Sequence, residues 1–204
     1  DLSLRSINTL KEVDIIYAED TRVTANLLKH FQIFKKSSPL HEHNELGQLL
    51  EITNALQIGK DIAVMSDAGA PLISDPGYPL IKSCIELGIE FTVLPGPSSV
   101  INAVLLSGIS PHQFTFYGFM PKTSAGRKKI AEEIKQSGIP YVFFESAKRL
   151  SKTLETFLEV LDNNTKISIC REMTKEYESI YRGSLEEIYG QLLDSKITLL
   201  GEFV

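Results

Sequence analysis

The chain has 204 residues, 43% hydrophobic and 23% charged, with 21 Lys+Arg against 26 Asp+Glu and a net charge of −5. That composition excludes a disordered chain, and the aperiodic 13 Gly and 9 Pro exclude collagen. The acidic balance gives no general nucleic-acid signature, so any basic surface has to be local.

Short β-type runs alternate with amphipathic segments of helix length. Asp1-Leu2-Ser3 reads as the start of a helix. Ile15–Tyr17 is a strand, followed by a helix through Asn26–Leu28. A helix spans Glu45–Leu56 and stops at Gly59. Asp61–Met65 is a buried strand, Asp75–Leu87 a helix with Pro79 in its first turn, and Phe91–Leu94 a strand. Pro97–Ser107 is a helix, and Ser107–His112 is turn-rich and suits a linker. The second half continues with strand Phe114–Tyr117, helix Ser124–Gln136, strand Tyr141–Phe144 and helix Ala147–Leu161. Strands Lys166–Arg171 and Glu178–Arg182 pair like a hairpin, then come helix Leu185–Leu193 and strand Ile197–Val204. The alternation predicts α/β architecture in two αβα lobes, residues 1–111 and 112–204.

Cys84 and Cys170 stand far apart in apolar stretches and read as buried thiols, as in a reducing cytoplasm. There is no run of 18 apolar residues, hence no membrane span, and no signal peptide pattern.

The stretch Ser66-Asp67-Ala68-Gly69-Ala70-Pro71-Leu72-Ile73-Ser74-Asp75-Pro76-Gly77 links a buried strand to a helix. Ligands bind at strand carboxyl ends in open α/β sheets, and glycines let backbone approach a ligand closely. The bland account is a turn-rich connection with Asp75 as N-cap. Leu94-Pro95-Gly96-Pro97-Ser98-Ser99 repeats the strand–loop–helix order and suits an anionic or polar ligand end, or simply a helix start. No two glycines stand two apart, so G-x-G-x-x-G and Walker A loops are absent. His41-Glu42-His43-Asn44-Glu45 only approaches H-E-x-x-H, and no metal is expected.

Glu19-Asp20-Thr21-Arg22 ends a strand and is either a helix cap or a polar active-site corner. Lys122, Arg127, Lys128 and Lys129 crowd eight residues without an acid, and Lys148, Arg149 and Lys152 follow the next strand. These charges are a solvated helix face or an RNA-phosphate rim. Phe119 follows Phe114, Phe116 and Tyr117 and sits where it could stack on a base. Cys170-Arg171-Glu172-Met173-Thr174-Lys175-Glu176 is an exposed turn or a cleft wall.

Taken together, AEDTR, HEHNE, SDAGAPLISDPGYPLI, LPGPSSVINAVLLSGI, YGFMPKTSAGRKK, FFESAKRL and CREMTKEYE resemble the 16S ribosomal RNA methyltransferases of the tetrapyrrole methylase superfamily. The match covers nearly the whole chain. The resemblance implies the two-lobed class III methyltransferase fold with a cleft between lobes, S-adenosylmethionine as methyl donor and no metal. It also implies a cytoplasmic homodimer, with 16S rRNA or the small ribosomal subunit as partner and no membrane. The implied reaction is 2′-O-methylation of a cytidine ribose in the decoding region.

From the resemblance, donor contacts fall on Asp67, Gly69, Ala70, Pro71, Ser74, Ser98, Ser99, Phe119 and Leu199, with Glu145 able to serve there too. RNA contacts fall on Arg22, Lys122, Arg127, Lys128, Lys129 and Arg149. Asp20, Glu145 and Glu172, together with His41, are the candidates for proton abstraction. Family members carry a strand and a Pro-Ile-Gly-Asn-type loop before the Asp1–Leu10 match, continue past Gly201–Val204, and usually have Thr where Ala70 stands. The chain therefore reads as shortened at both ends. Two rival readings are a methyltransferase of the same superfamily acting on a porphyrinoid, and a catalytically inactive RNA-binding relative.

Overall fold

A computed structural model describes residues 1–110 and 112–204. The chain divides by contacts into two units, Asp1–Ser98 and Ser99–Val204. The lobe boundary expected at residue 111 falls outside the described residues. Helix 99–107, expected in the first lobe, belongs to the second unit because its apolar face packs on three strands there.

In the first unit, Ile15–Ala18 (β1), Ser37–Pro39 (β2) and Ile62–Met65 (β3) form a parallel sheet in the order β2-β1-β3. The central strand is apolar on both faces, as a parallel sheet covered by helices requires. Successive side chains alternate between faces. Ile16 packs with Leu10, Val13, Leu28 and Ile33, whereas Tyr17 packs with Leu40, Ile52, Leu80 and Cys84. Helices Leu4–Glu12 (α1), Thr21–His30 (α2), Glu45–Gln57 (α3) and Tyr78–Leu87 (α4) supply Leu10, Leu28, Ile52, Leu80 and Cys84 among those partners, and the segments that flank them supply Val13, Ile33 and Leu40. Helix α1 starts at Leu4 because the Ser3 hydroxyl caps the Ser6 N–H. Helix α4 starts three residues later than expected, since Gly77 at φ +120° holds the turn before it. β2 escaped the sequence reading because Ser-Ser-Pro carries no β-branched or aromatic signal, and Pro39 fits only the end of an edge strand. Phe91–Leu94 has strand composition but forms no strand: Phe91 is 48% and Val93 76% exposed, and β3 closes the sheet on that side among the described residues.

The second unit contains Ser99–Ser107 (α5), Thr115–Phe119 (β4), Ser124–Ser137 (α6), Tyr141–Ser146 (β5), Ala147–Leu158 (α7), Lys166–Arg171 (β6), Ser179–Ser184 (β7), Leu185–Leu193 (α8) and Glu202–Phe203 (β8). The sheet order is β4-β5-β8-β6-β7. Only β4 and β5 run parallel; the other pairs are antiparallel. Helices α6, α7 and α8 pack on one another and close a core that includes Ile130, Leu154, Phe157, Ile188 and Phe203. The strand expected over 197–204 contracts to two residues. Among the described residues, β8 pairs with Glu145, Ser146 and Arg171, the Glu172 N–H donates to Glu202 O, and Val204 is bonded to Cys170. Beyond those pairs, β5 and β6 are separated by an apolar slot of about 360 Å³ that residues of α5 and α7 also line. Both cysteines are free and buried, and burial pushes both thiols up.

Candidate functional site

In the first unit the chain leaves β1 for β2 on one side and returns through α3 to β3 on the other. The loops after β1 and β3 therefore diverge at their carboxyl ends, and an open α/β sheet binds ligands at such a switch point. Glu19 and Asp20 follow β1; Ser66 and Asp67 follow β3. The two loops are tied, because the Glu19 N–H donates to Met65 O at 3.3 Å and the Asp20 N–H to Asp67 Oδ1 at 3.1 Å. Asp75 joins them from further along the loop. Burial, followed by the nearby charges of Glu19 and Asp67, pushes its carboxyl up to about 6, against an opposing hydrogen bond from Ser66. Carboxylates at this density accept from hydroxyl and ammonium groups and attract cations.

Loop 66–77 supplies most of the expected donor contacts. Asp67, Gly69 and Ser74 are exposed, and Ala70 and Pro71 half-buried. Gly69 has φ +77°, a conformation glycine adopts freely. Leu72 and Ser74 adopt φ +71° and +67°, which costs an L-residue about 1 kcal/mol or more. Gly77 donates its N–H to Glu45 Oε2 at 2.8 Å, which anchors the loop's end. Among the described residues, the backbone–backbone bond inside 67–76 joins the Ile73 N–H to Ala70 O, while Ala68 O and Gly69 O accept from the Ser66 hydroxyl at 3.4 and 3.5 Å. Ser98 and Ser99, both half-buried, stand where the first unit ends and α5 begins.

The three carboxylates expected to abstract a proton are all engaged. Asp20 caps α2, and Arg22 grips its carboxylate through Nε and Nη2, at 3.0 and 2.6 Å. That guanidinium holds the Asp20 carboxyl well below the usual carboxylate range. Glu145 is 5% exposed. Its Oε1 accepts from the Ser146 N–H at 2.7 Å and lies 2.8 Å from Arg149 Nη2, while Oε2 accepts from Thr153 Oγ1 at 2.6 Å. Glu172 accepts from the Glu202 N–H at 2.9 Å and from Lys175 Nζ at 3.0 Å, and those partners hold its carboxyl low. Its left-handed φ of +49° brings it over Gly201, where a Cβ would sit 2.6 Å from the carboxylate. His41 lies at the carboxyl end of β2, and its buried Nδ1 has no hydrogen-bond partner among the described residues. Sequence reading missed Thr153 and Arg171. Thr153 is eight residues from its carboxylate partner, with no linear pattern to mark it. Arg171 ends an apolar strand and donates to Leu200 O and Tyr177 O.

The basic rim is smaller than the sequence suggested. Arg127 is 6% exposed, and its guanidinium serves Thr156, Pro121 and Lys122. Arg149 is turned toward Glu145, Ser146 and Met120. Lys128 pairs with Glu159 at 2.7 Å. Lys122, Lys129 and Arg22 are exposed, as are Phe119 at 56% and Leu199 at 44%. Among the described residues no cluster of His, Cys, Asp and Glu could hold a metal ion, and no helix is long and apolar enough to cross a membrane.

A family model described as Tetrapyrrole (Corrin/Porphyrin) Methylases matches residues 1–189. A protein of Halalkalibacterium halodurans named "Ribosomal RNA small subunit methyltransferase I" is 43% identical over 203 residues, spanning 100% of this chain and 69% of that protein. The Thermotoga maritima protein of the same name is 41% identical over 187 residues, 92% of this chain and 83% of its own length. A crystal structure of diphthine synthase superposes with a TM-score of 0.76 at 13% identity, covering 100% of this chain and 82% of its own, and shares the fold.

Proposed function

The chain belongs to the tetrapyrrole (corrin/porphyrin) methylase family, and we propose that it methylates ribosomal RNA of the small subunit, using S-adenosylmethionine. The reaction assigned is transfer to the 2′-hydroxyl of a cytidine ribose in the decoding region of 16S rRNA. The observation that carries this reading is identity of 41–43% with proteins named as small-subunit methyltransferases, over 92–100% of the chain. The cluster of carboxylates after β1 and β3 supports it. The donor bears a sulfonium and an ammonium, and Glu19, Asp67 and Asp75 supply the opposite charge at a switch point.

Asp67, Gly69, Ala70, Pro71 and Ser74 would hold the donor from the first unit; Ser98, Ser99, Phe119 and Leu199 are its further assigned contacts. When bound, the donor supplies an electrophilic methyl carbon. Transfer would form a C–O bond to the ribose oxygen as the C–S bond breaks, releasing S-adenosylhomocysteine and passing the hydroxyl proton to a base or to solvent. The chain's own contribution is alignment, which alone can supply a large part of the acceleration. Asp20, Glu145 and Glu172 remain the assigned bases, and each would have to give up donors it already accepts from in order to take the hydroxyl proton. Lys122, Lys129 and Arg22 are the assigned phosphate contacts. A cytoplasmic homodimer completes the proposal.

The test is methylation of small subunits from a strain lacking the modification. Digested RNA is examined by mass spectrometry for 2′-O-methylcytidine. Donor binding without RNA methylation would move the assignment to a porphyrinoid substrate, and absence of donor binding to an inactive RNA-binding protein.

A further inference from the structure

The loop from β4 to α6 is held from beneath by two arginines. Three consecutive carbonyls accept from guanidinium groups: Met120 O from Arg149 Nη1 at 3.0 Å, and Pro121 O and Lys122 O from Arg127 Nη1 at 3.4 and 2.9 Å. Both arginines are anchored in turn. Arg149 meets Glu145 Oε1 at 2.8 Å and Ser146 Oγ at 3.0 Å, while Arg127 Nε donates to Thr156 Oγ1 at 3.2 Å. The Met120 side chain is 1% exposed. The Pro121 ring lies against Gly126, where a Cβ would come within 2.7 Å. Thr123 caps α6 through the Gly126 N–H. The backbone from 120 to 123 is thereby fixed from the protein side. Two large side chains remain outside: Phe119, edge-on to Phe144 at 5.3 Å, and Lys122.

Burying the Arg127 guanidinium is costly, and an apolar side chain could fill the same space as well or better. Together with the half-buried Arg149, it specifies the geometry of one short loop. A rigid loop carrying a ring and an ammonium three residues apart suits a nucleotide, whose base stacks and whose phosphate takes the charge. Preorganisation spares the ordering cost that a mobile loop would incur on binding.

We propose that Arg127 and Arg149 are positioning residues, fixing the β4–α6 loop so that Lys122 meets an RNA phosphate and Phe119 stacks on a nucleobase ring. This rests on the RNA-methylation reading. The ring belongs to the donor's adenine or to an RNA base.

The experiment is a double-mutant cycle on the full chain, with methylation-deficient small subunits and S-adenosylmethionine. Lys122→Gln and Arg127→Lys each raise the KM for subunits about tenfold, the effect of one lost charge-assisted contact, with kcat little changed. The double variant is no worse than Lys122→Gln alone, because Arg127 acts through Lys122. Arg149→Lys keeps a charge beside Glu145 but releases Met120 O. It weakens donor affinity if Phe119 stacks on adenine, and raises the subunit KM if Phe119 stacks on an RNA base. Thr156→Val, which frees Arg127 Nε, serves if Arg127→Lys does not fold. Additive effects of Arg127 and Lys122, or a loss confined to kcat, overturn the proposal. If the wild-type chain methylates no subunit, the functional reading has failed. The same cycle read by fluorescence anisotropy with a single-stranded RNA oligonucleotide then decides the loop's role separately.

Discussion

Asp75→Asn should reshape the pH dependence of stability in a defined direction. The Asp75 carboxyl moves from its ordinary 3.8 to about 6 in the folded chain. Each unit is worth about 1.4 kcal/mol, so the full shift corresponds to about 3 kcal/mol. Asp75 is only half-buried, and solvent screening brings this to about 1.5 kcal/mol. The folded chain binds the proton more tightly than the unfolded one. This contribution is therefore fully present below about pH 4 and is lost as pH rises through about 6. Asn keeps the side-chain shape but cannot ionise. In urea unfolding followed by circular dichroism at pH 4, 5, 6 and 7, the stability of the variant minus wild type should rise by about 1.5 kcal/mol across the series. A flat or falling difference refutes the crowding of Asp75 by burial, Glu19 and Asp67. An Asp75 carboxyl resonance that titrates near 4 refutes it as well.

A cationic donor seated beside Asp75 favours its ionised form, so calorimetric affinity for S-adenosylmethionine should rise from pH 5 to 7 and flatten in Asp75→Asn. Thr153→Val strips a 2.6 Å donor from the buried Glu145 carboxylate and should cost about 1–3 kcal/mol in chemical unfolding, with Thr153→Ser restoring most of it. Gly126→Ala drives a Cβ into the Pro121 ring, and a thermal melt should report a loss of about 1–3 kcal/mol.

Much of the fold was legible because its signals are local. The Ile-Ile-Tyr run, the Gly59 stop after the 45–56 helix and Pro79 in the first turn of the next helix each act within a few residues. The failures have non-local causes. Phe91–Leu94 has the composition of a strand, but a strand needs a neighbour to bond. Ser37–Pro39 lacks that composition, but lies beside β1. The carboxylate cluster was half legible. Asp67 and Asp20 stood out in their motifs, yet only the parallel order of β1 and β3 places them in contact. Among the basic residues, Lys122 and Arg127 look alike in sequence. Their difference, one exposed and the other 6% exposed, comes from α7 supplying Thr156 beneath α6.

The short strand β8 has a mechanical consequence. Among the described residues, 202–204 carry the strand pairing between the β4-β5 pair and the β6-β7 hairpin, since the slot interrupts the sheet elsewhere. Cut that staple and the sheet becomes two ribbons, each of a size that is marginal in water. The residues that fasten it are Phe203, 2% exposed in the core, Arg171 on Leu200 O, and Glu172 on the Glu202 N–H. Glu172 in this light is a rivet: pulling it loosens the seam between the two halves of the second unit before it touches any chemistry.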